Sequence, residues 1–188
     1  TIAERHLNGG AIGAWWENGC LGPELSGRAG NLVNIGFDRT WKKERTDAEK
    51  ANDLALIGLD WAPWDTARKL IKKQSDLKNY IVGFGPRTHP DLLPLIDGFN
   101  AFFDTGFGAD DRVAQADITR RAGHLNHVAN AIHGWMVMAE ITAAMTRKGR
   151  MPAMWKSYSH PDGREWGSRY LGKMQFHDEF KIPPQPAG

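Results

Sequence analysis

Short apolar runs alternate with polar, helix-like segments along the first hundred residues of the chain. The strands that these runs predict recur roughly every 20 to 25 residues, a spacing typical of a parallel sheet covered by helices on both faces. The pattern therefore predicts an α/β fold. The five apolar runs occupy residues 11–16, 32–35, 53–59, 80–84 and 99–103.

The pattern changes after residue 110. We expect Gly123 to break a helical tract, and residues 125–147 predict the longest helix of the chain. Its apolar side chains surround most of the helix circumference, so we expect this helix to be largely buried. These positions are Val128, Ile132, Trp135, Met136, Met138, Ala139, Ile141 and Met145.

The end of the chain differs in composition from the rest. Residues 150–188 are rich in glycine, proline, aromatic and charged residues, which predicts an extended arm instead of a second domain. Because so many aromatic side chains need burial, we expect the arm to pack on the domain or on a neighbouring subunit. The predicted organisation is one domain at 1–149 and an arm at 150–188.

Composition and charge exclude several classes of protein. The net charge of +2 comes from interleaved basic and acidic residues, which argues against a nucleic-acid surface. Apolar runs fall well short of the roughly 18 residues that cross a bilayer, so we expect no membrane partner. A single cysteine, Cys20, excludes an intrachain disulfide and a cysteine-based zinc site.

The first residues predict a helix that starts upstream. Residues 1–7 have the pattern of the last turns of a helix, and the chain begins at Thr1 without a methionine. The residues favour a cytoplasmic location, although a removed leader would also fit.

Residues 11–37 predict a ligand site. A strand at 11–16 leads into the turn 17–22, whose glycines allow unusual backbone angles, and Pro23 suits the first turn of a helix. This order of elements places free backbone N–H groups at the carboxyl end of a strand, where α/β proteins commonly bind ligands.

Several of these segments resemble the sugar isomerase (SIS) domain family, in its poorly characterised, phosphosugar-isomerase-like branch. The resemblance covers roughly residues 1–149 and is most specific at Arg28-Ala29-Gly30. It implies a flavodoxin-like, three-layer α/β/α domain with a parallel sheet of about five strands, which binds phosphosugars at the strand ends. It also implies a homodimer or homotetramer, and we expect no cofactor. The matching segments are residues 14–22, 24–32 and 57–65 and the late helix with Asn126, Asn130, Ala139 and Glu140.

Two loops depart from the family pattern. Cys20 stands where the first loop of the family carries a phosphate-binding serine, and the second loop reads DWAPWDT in place of several hydroxyl residues. Carboxylates repel a phosphate, whereas tryptophan rings with nearby carboxylates suit a neutral sugar. The alternative is that these tryptophans form a hydrophobic plug. The expected substrate-binding residues are Asn18, Gly19, Cys20, Asp60, Trp61, Trp64, Asp65, Thr66 and Asn126.

Sugar isomerisation would need a base and a proton donor near the strand ends. Glu17 and Glu24 are the candidate bases, although a first-turn Glu24 also suits helix electrostatics. His124 and His127 are three residues apart and could share a helix face, and the alternative is that they are structural. A metal would need a third ligand that this spacing does not supply, so we expect no metal.

Three hypotheses follow for the function. The first is a domain that binds a sugar or sugar phosphate, with aldose–ketose isomerisation as its candidate reaction. The second is a non-catalytic sugar-sensing module, and the third is an oligomeric structural protein that has lost the phosphate site. Fold resemblance alone does not choose between them.

Overall fold

A computed structural model describes residues 1–14, 21–26, 28–32, 45–59, 64–107, 112–115 and 121–170, with only the backbone described at 112–115 and 121–124. The helices are α1 (Ile2–Leu7), α2 (Leu21–Leu25), α3 (Asp47–Lys50), α4 (Asp65–Asp76), α5 (Leu93–Ile96), α6 (Leu125–Arg147) and α7 (Gly163–Tyr170). The strands are β1 (Ile12–Ala14), β2 (Leu54–Gly58), β3 (Tyr80–Gly85), β4 (Ala101–Asp104), β5 (Arg112–Gln115) and β6 (Arg121–His124).

Strands β1 to β4 form one parallel sheet in the order β1-β2-β3-β4. Leu56 of β2 lies between Ala14 of β1 and Val82 of β3, and Phe84 of β3 pairs with Phe103 of β4. The prediction of an α/β fold with a parallel sheet flanked by helices is confirmed. Of the strand predicted at 32–35, only Leu32 is described, and it forms an antiparallel bridge with Met154.

Both faces of this sheet are buried, which explains why its strands are continuous apolar runs. Alternate residues of a strand point to opposite faces. Leu54 and Leu56 pack in a cluster that includes residues of α1, α2 and α6. Ala55 and Ile57 belong to a second cluster with residues of α4 and α5. The sheet is therefore flanked by helices whose buried residues form two separate clusters.

A buried ion pair connects the first two strands of the sheet. Asp53, only 5% exposed, precedes β2 and accepts a hydrogen bond of 2.8 Å from the backbone N–H of Ala11. Its other carboxylate oxygen accepts a bond of 2.9 Å from the Arg45 guanidinium. The hydrogen bond to Asp53 raises the pKa of Arg45 above its ordinary value.

Strands β5 and β6 are an antiparallel pair, in a part of the chain for which a helical tract was expected. The prediction that Gly123 breaks a helix is wrong, because Gly123 lies in β6. Helix α6 begins directly after this strand and spans Leu125–Arg147, as the sequence predicts.

Helix α6 is buried on one side only, so the expectation that it is largely buried is wrong. At Gly134 the helix lies so close to α2 that an added Cβ would be 2.6 Å from Cδ2 of Leu21. On the other side, Val128, Ile132 and Met136 are 57%, 54% and 62% exposed. The apolar circumference therefore includes a face that no described element covers. The buried residues of α6 are Asn126, Ala129, Asn130, Gly134, Met138, Ile141 and Met145.

The described part of the predicted arm, residues 150–170, contacts the segment 28–32. The backbone N–H of Gly30 donates to the Trp155 carbonyl at 2.9 Å, and the Trp155 N–H donates to the Asn31 carbonyl at 2.7 Å. Trp155 also packs against Trp166 and Tyr170 of α7. The segment therefore includes a helix, and the remaining residues of the predicted arm lie outside the described residues.

The substitution Asp53→Asn should lower the free energy of unfolding by about 3 kcal/mol, because it removes the carboxylate charge that pairs with the buried Arg45 guanidinium. Asp76→Asn is the matched control. It breaks an exposed pair with Lys72 and should change stability by less than about 0.5 kcal/mol. Urea titrations followed by tryptophan fluorescence measure both values. Equal, small losses would show that the buried pair contributes no more than a surface pair.

Stability should fall as the pH drops below about 6.5, the ordinary pKa of histidine. Burial lowers the pKa of His6, whose Nδ1–H donates to the Gly10 carbonyl at 2.7 Å. The unfolded state therefore takes up a proton that the folded state excludes. This lowers the free energy of unfolding by up to about 1.4 kcal/mol per pH unit. His6→Gln keeps a donor for Gly10 and should flatten this slope in urea titrations at pH 5.5 and 7.5. An unchanged slope would show that His6 does not cause this loss of stability.

Candidate functional site

The carboxyl ends of β2, β3 and β4 meet at one edge of the sheet, because the three strands are parallel. The chain that follows β2 leads to the start of α4, and the residues after β3 include Arg87 and His89. Strand β4 ends at Asp104, next to Thr105. We call this group of loops the carboxyl edge.

Helix α4 begins at this edge, and within the described residues its first backbone N–H groups have no side-chain cap. Trp64 occupies the N-cap position and makes no side-chain hydrogen bond to the helix. Asp65 is the first residue of the helix. Asp65 and Thr66 are both exposed. The free N–H groups carry a partial positive charge that favours an anion or a hydroxyl oxygen.

Trp64 lies in the core, with 7% of its surface exposed. It packs with Leu59, Leu92 and Leu95, which agrees with the interpretation of this residue as a hydrophobic plug. Its indole Nε1–H is buried and has no hydrogen-bond partner within the described residues. A stacking platform for a sugar would need an exposed ring face, so Trp64 does not serve as one in this conformation.

The loop after β3 contacts the start of α4 through His89. The His89 and Trp64 rings meet edge to face, with centroids 5.3 Å apart. Nδ1 of His89 accepts a hydrogen bond of 3.2 Å from the backbone N–H of Asp91, so the neutral ring carries its proton on Nε2. His89 therefore offers an N–H donor.

Arg87 is an exposed cation in the same loop. Its side chain forms no ion pair with any residue in the described ranges. Its backbone N–H donates to Oδ1 of Asp104 at 3.0 Å, and the N–H of Gly106 donates to the same oxygen at 3.0 Å. Asp104 thus holds the loops after β3 and β4 together.

Thr105 connects the carboxyl edge to the start of α6. Its hydroxyl hydrogen-bonds to Oδ1 of Asn126, which is 3% exposed. Asn126 is a predicted substrate-binding residue, and in the structure it anchors the first turn of α6 to the end of β4. This buried position suits a structural role.

The two candidate catalytic histidines do not share a helix face. His124 is the last residue of β6, whereas His127 lies in the first turn of α6. A spacing of three residues places two side chains on one face only within a helix, and here the chain changes from strand to helix between the two histidines. His127 is half-buried.

Glu24 is the one candidate base within the described residues. It lies on α2, where Arg28 donates to its carboxylate at 3.0 Å, four residues further along the chain. This ion pair agrees with the interpretation of Glu24 as a residue of helix electrostatics. Other predicted site residues lie outside the described residues and stay predictions; they are Glu17, Asn18, Gly19, Cys20, Asp60 and Trp61.

Four polar residues of the carboxyl edge were not predicted from the sequence: Arg87, His89, Asp104 and Thr105. Each of them follows or ends a predicted strand, as Asp60 does. Side chains at the carboxyl ends of parallel strands are candidates for ligand contacts. The described arrangement combines donors on α4, Arg87 and His89 with acceptors on Asp65 and Asp104. Such a set can bind a ligand that carries both an anionic group and hydroxyl groups.

No protein-family model matches the chain, and no curated protein matches it. Within the described residues, no three His, Cys, Asp or Glu side chains lie close enough to hold a metal ion. The described helices include none that is long and apolar enough to cross a membrane.

The substitution Thr105→Val should lower the free energy of unfolding by about 1 to 2 kcal/mol, because it removes the hydroxyl that bonds to the buried Asn126 amide. Thr88→Val is the matched control, because the Thr88 hydroxyl makes only an exposed bond of 3.4 Å to the Phe107 carbonyl. Its effect should stay below about 0.5 kcal/mol. Urea unfolding measures both, and equal effects would show that Thr105 does not anchor α6.

Proposed function

We propose that the chain is an SIS-like domain with a flavodoxin-like, three-layer arrangement, which binds a sugar or sugar phosphate at the carboxyl edge and works as a homodimer or homotetramer. The parallel sheet and its two groups of helices support the fold part of this proposal. In open parallel sheets, ligands bind outside the carboxyl ends of the strands.

The contact between Trp64 and His89 carries the proposal for the ligand. It brings the uncapped start of α4 beside the loop that holds Arg87. An exposed guanidinium and free helix N–H groups favour a phosphate, since both supply charge-assisted hydrogen bonds. Asp65 and Asp104 are exposed at the same edge, where they can accept hydrogen bonds from sugar hydroxyls. A sugar phosphate satisfies both kinds of group.

Catalysis is a further step of the proposal. In it, Glu17 removes the proton next to the carbonyl, and His89 Nε2–H donates to a sugar oxygen. A non-catalytic binding module is the second candidate. The ion pair of Glu24 with Arg28 favours it, because this carboxylate already has a cationic partner.

Thermal-shift measurements test the ligand. A hexose phosphate at 100 times its Kd should stabilise the protein by about 2.7 kcal/mol, and the matching hexose without phosphate should stabilise it less. The thermal shift with inorganic phosphate alone shows how much of the stabilisation comes from binding of the anion without the sugar. Equal shifts with both sugars would refute the phosphate part of the proposal, and no shift with any sugar would refute the ligand class.

Arg87→Gln should weaken sugar phosphate binding about tenfold or more, because one charge-assisted hydrogen bond contributes about 1.5 to 3 kcal/mol. Arg68→Gln removes an equally exposed cation from the surface of α4 and should leave the affinity unchanged. Isothermal titration calorimetry compares the two variants. Unchanged affinity in Arg87→Gln would remove this residue from the site.

Glu17→Gln should abolish any aldose–ketose isomerase activity while it leaves the melting temperature nearly unchanged, because the amide cannot act as the base. Activity on the sugar phosphate that gives the largest thermal shift is measured in both proteins. Retained activity in the variant would refute the assignment of Glu17. An inactive wild-type protein that still binds the sugar phosphate would favour the binding module.

A further inference from the structure

Helix α6 carries an exposed apolar ridge. Val128, Ile132 and Met136 follow each other at intervals of four residues, so they line one face of the helix, and each is more than half exposed. Exposed apolar residues elsewhere, such as Leu77 at the end of α4 and Leu93 at the start of α5, lie on separate helices. Ridges with a spacing of four residues are the surfaces through which helices commonly pack against each other.

A groove lies directly beside this ridge. It has a volume of about 850 Å³ and runs between the start of α1, the second half of α6 and Phe103 of β4. Met136 belongs to both the ridge and the groove. Nδ1 of His133, which lines the groove, is buried without a hydrogen-bond partner among the described residues. The apolar lining includes Ile2, Ala3, Phe103, Val137, Ile141 and Ala144.

The charged side chains at the rim of the groove carry both signs in equal number. Glu4 pairs with Lys148 at 3.3 Å, and Glu140 pairs with Arg147 at 2.7 Å. All four side chains are about half exposed or more. A rim of this kind complements an identical rim better than it complements a partner with charges of one sign.

We propose that a second copy of this chain docks here, with the two α6 helices antiparallel about a two-fold axis. A two-fold interface needs one surface that carries both the protruding and the receiving part, and this face carries a ridge and a groove side by side. Antiparallel pairing sets the ridge in the first half of α6 against the partner's groove in the second half. Met136, which belongs to both, then lies at the axis.

The size of the face suits a weak dimer. Helix α6 has 23 residues and is about 34 Å long. One helix face is about 10 Å wide, and the six-residue α1 widens it over about 9 Å of this length. The resulting area of roughly 430 Å² on each partner is about half of the ~800 Å² that each partner buries in a standard interface, which is the size of a transient one. The inference rests on the homo-oligomer part of the proposed function and not on its ligand, because Arg87, His89 and Asp104 of the carboxyl edge do not line this groove.

Analytical ultracentrifugation of the full chain at about 100 μM tests the proposal. Wild-type protein should sediment as a dimer or a higher even-numbered oligomer, and Ile132→Glu combined with Met136→Glu should sediment as a monomer with unchanged circular dichroism. Leu77→Glu combined with Leu93→Glu is the matched control and should keep the wild-type state. A monomeric wild type, or a double variant that remains oligomeric, would overturn the proposal.

Cross-linking gives a second measurement that needs no charged substitution. In a Cys20→Ser background, Met136→Cys should form an intermolecular disulfide on mild oxidation, because residue 136 meets its own copy at the axis. Val128→Cys lies eight residues away along the helix, so its two copies would be about 24 Å apart and should not cross-link. Equal cross-linking of both variants, or none in Met136→Cys, would contradict this arrangement.

Discussion

The burial of one parallel sheet on both faces is the constraint on which the rest of this structure depends. Parallel strands need crossover connections, and the helices in these connections must cover the sheet. Leu56 and Ile57 are neighbours in sequence, yet they pack in two different clusters. The same arrangement brings the carboxyl ends of β2, β3 and β4 to one edge, where Arg87, His89 and Asp104 come together.

The helices on the two faces of the sheet differ in how much of their apolar surface is buried. On the α4 side the helix has one buried stripe, and its other side chains are polar. On the α6 side, Val128, Ile132 and Met136 remain exposed although the opposite side of the helix is packed. Apolar patches of this kind commonly mark an interaction surface. The proposed ligand site and the proposed dimer interface therefore use different parts of the same sheet and helices.

Much of the fold could be predicted, because it depends on local patterns. The apolar runs at 53–59 and 80–84 correspond to β2 and β3, and the bounds of α6 agree with the prediction. The site was harder to predict. Tertiary packing places Trp64 in the core and Asn126 under Thr105, although both residues look suitable for ligand contacts. The β5–β6 pair was missed because its residues lack the alternating pattern that indicates a strand.

The sequence by itself determined the fold class, the main strands and the edge at which polar residues collect, since these follow from hydrophobic periodicity and strand direction. Only the tertiary structure decided which side chains remain accessible there. It joins Trp64 to His89, places His124 and His127 on different elements, and leaves one apolar face of α6 uncovered. These outcomes depend on contacts between residues distant in sequence, and local periodicity carries no information about such contacts.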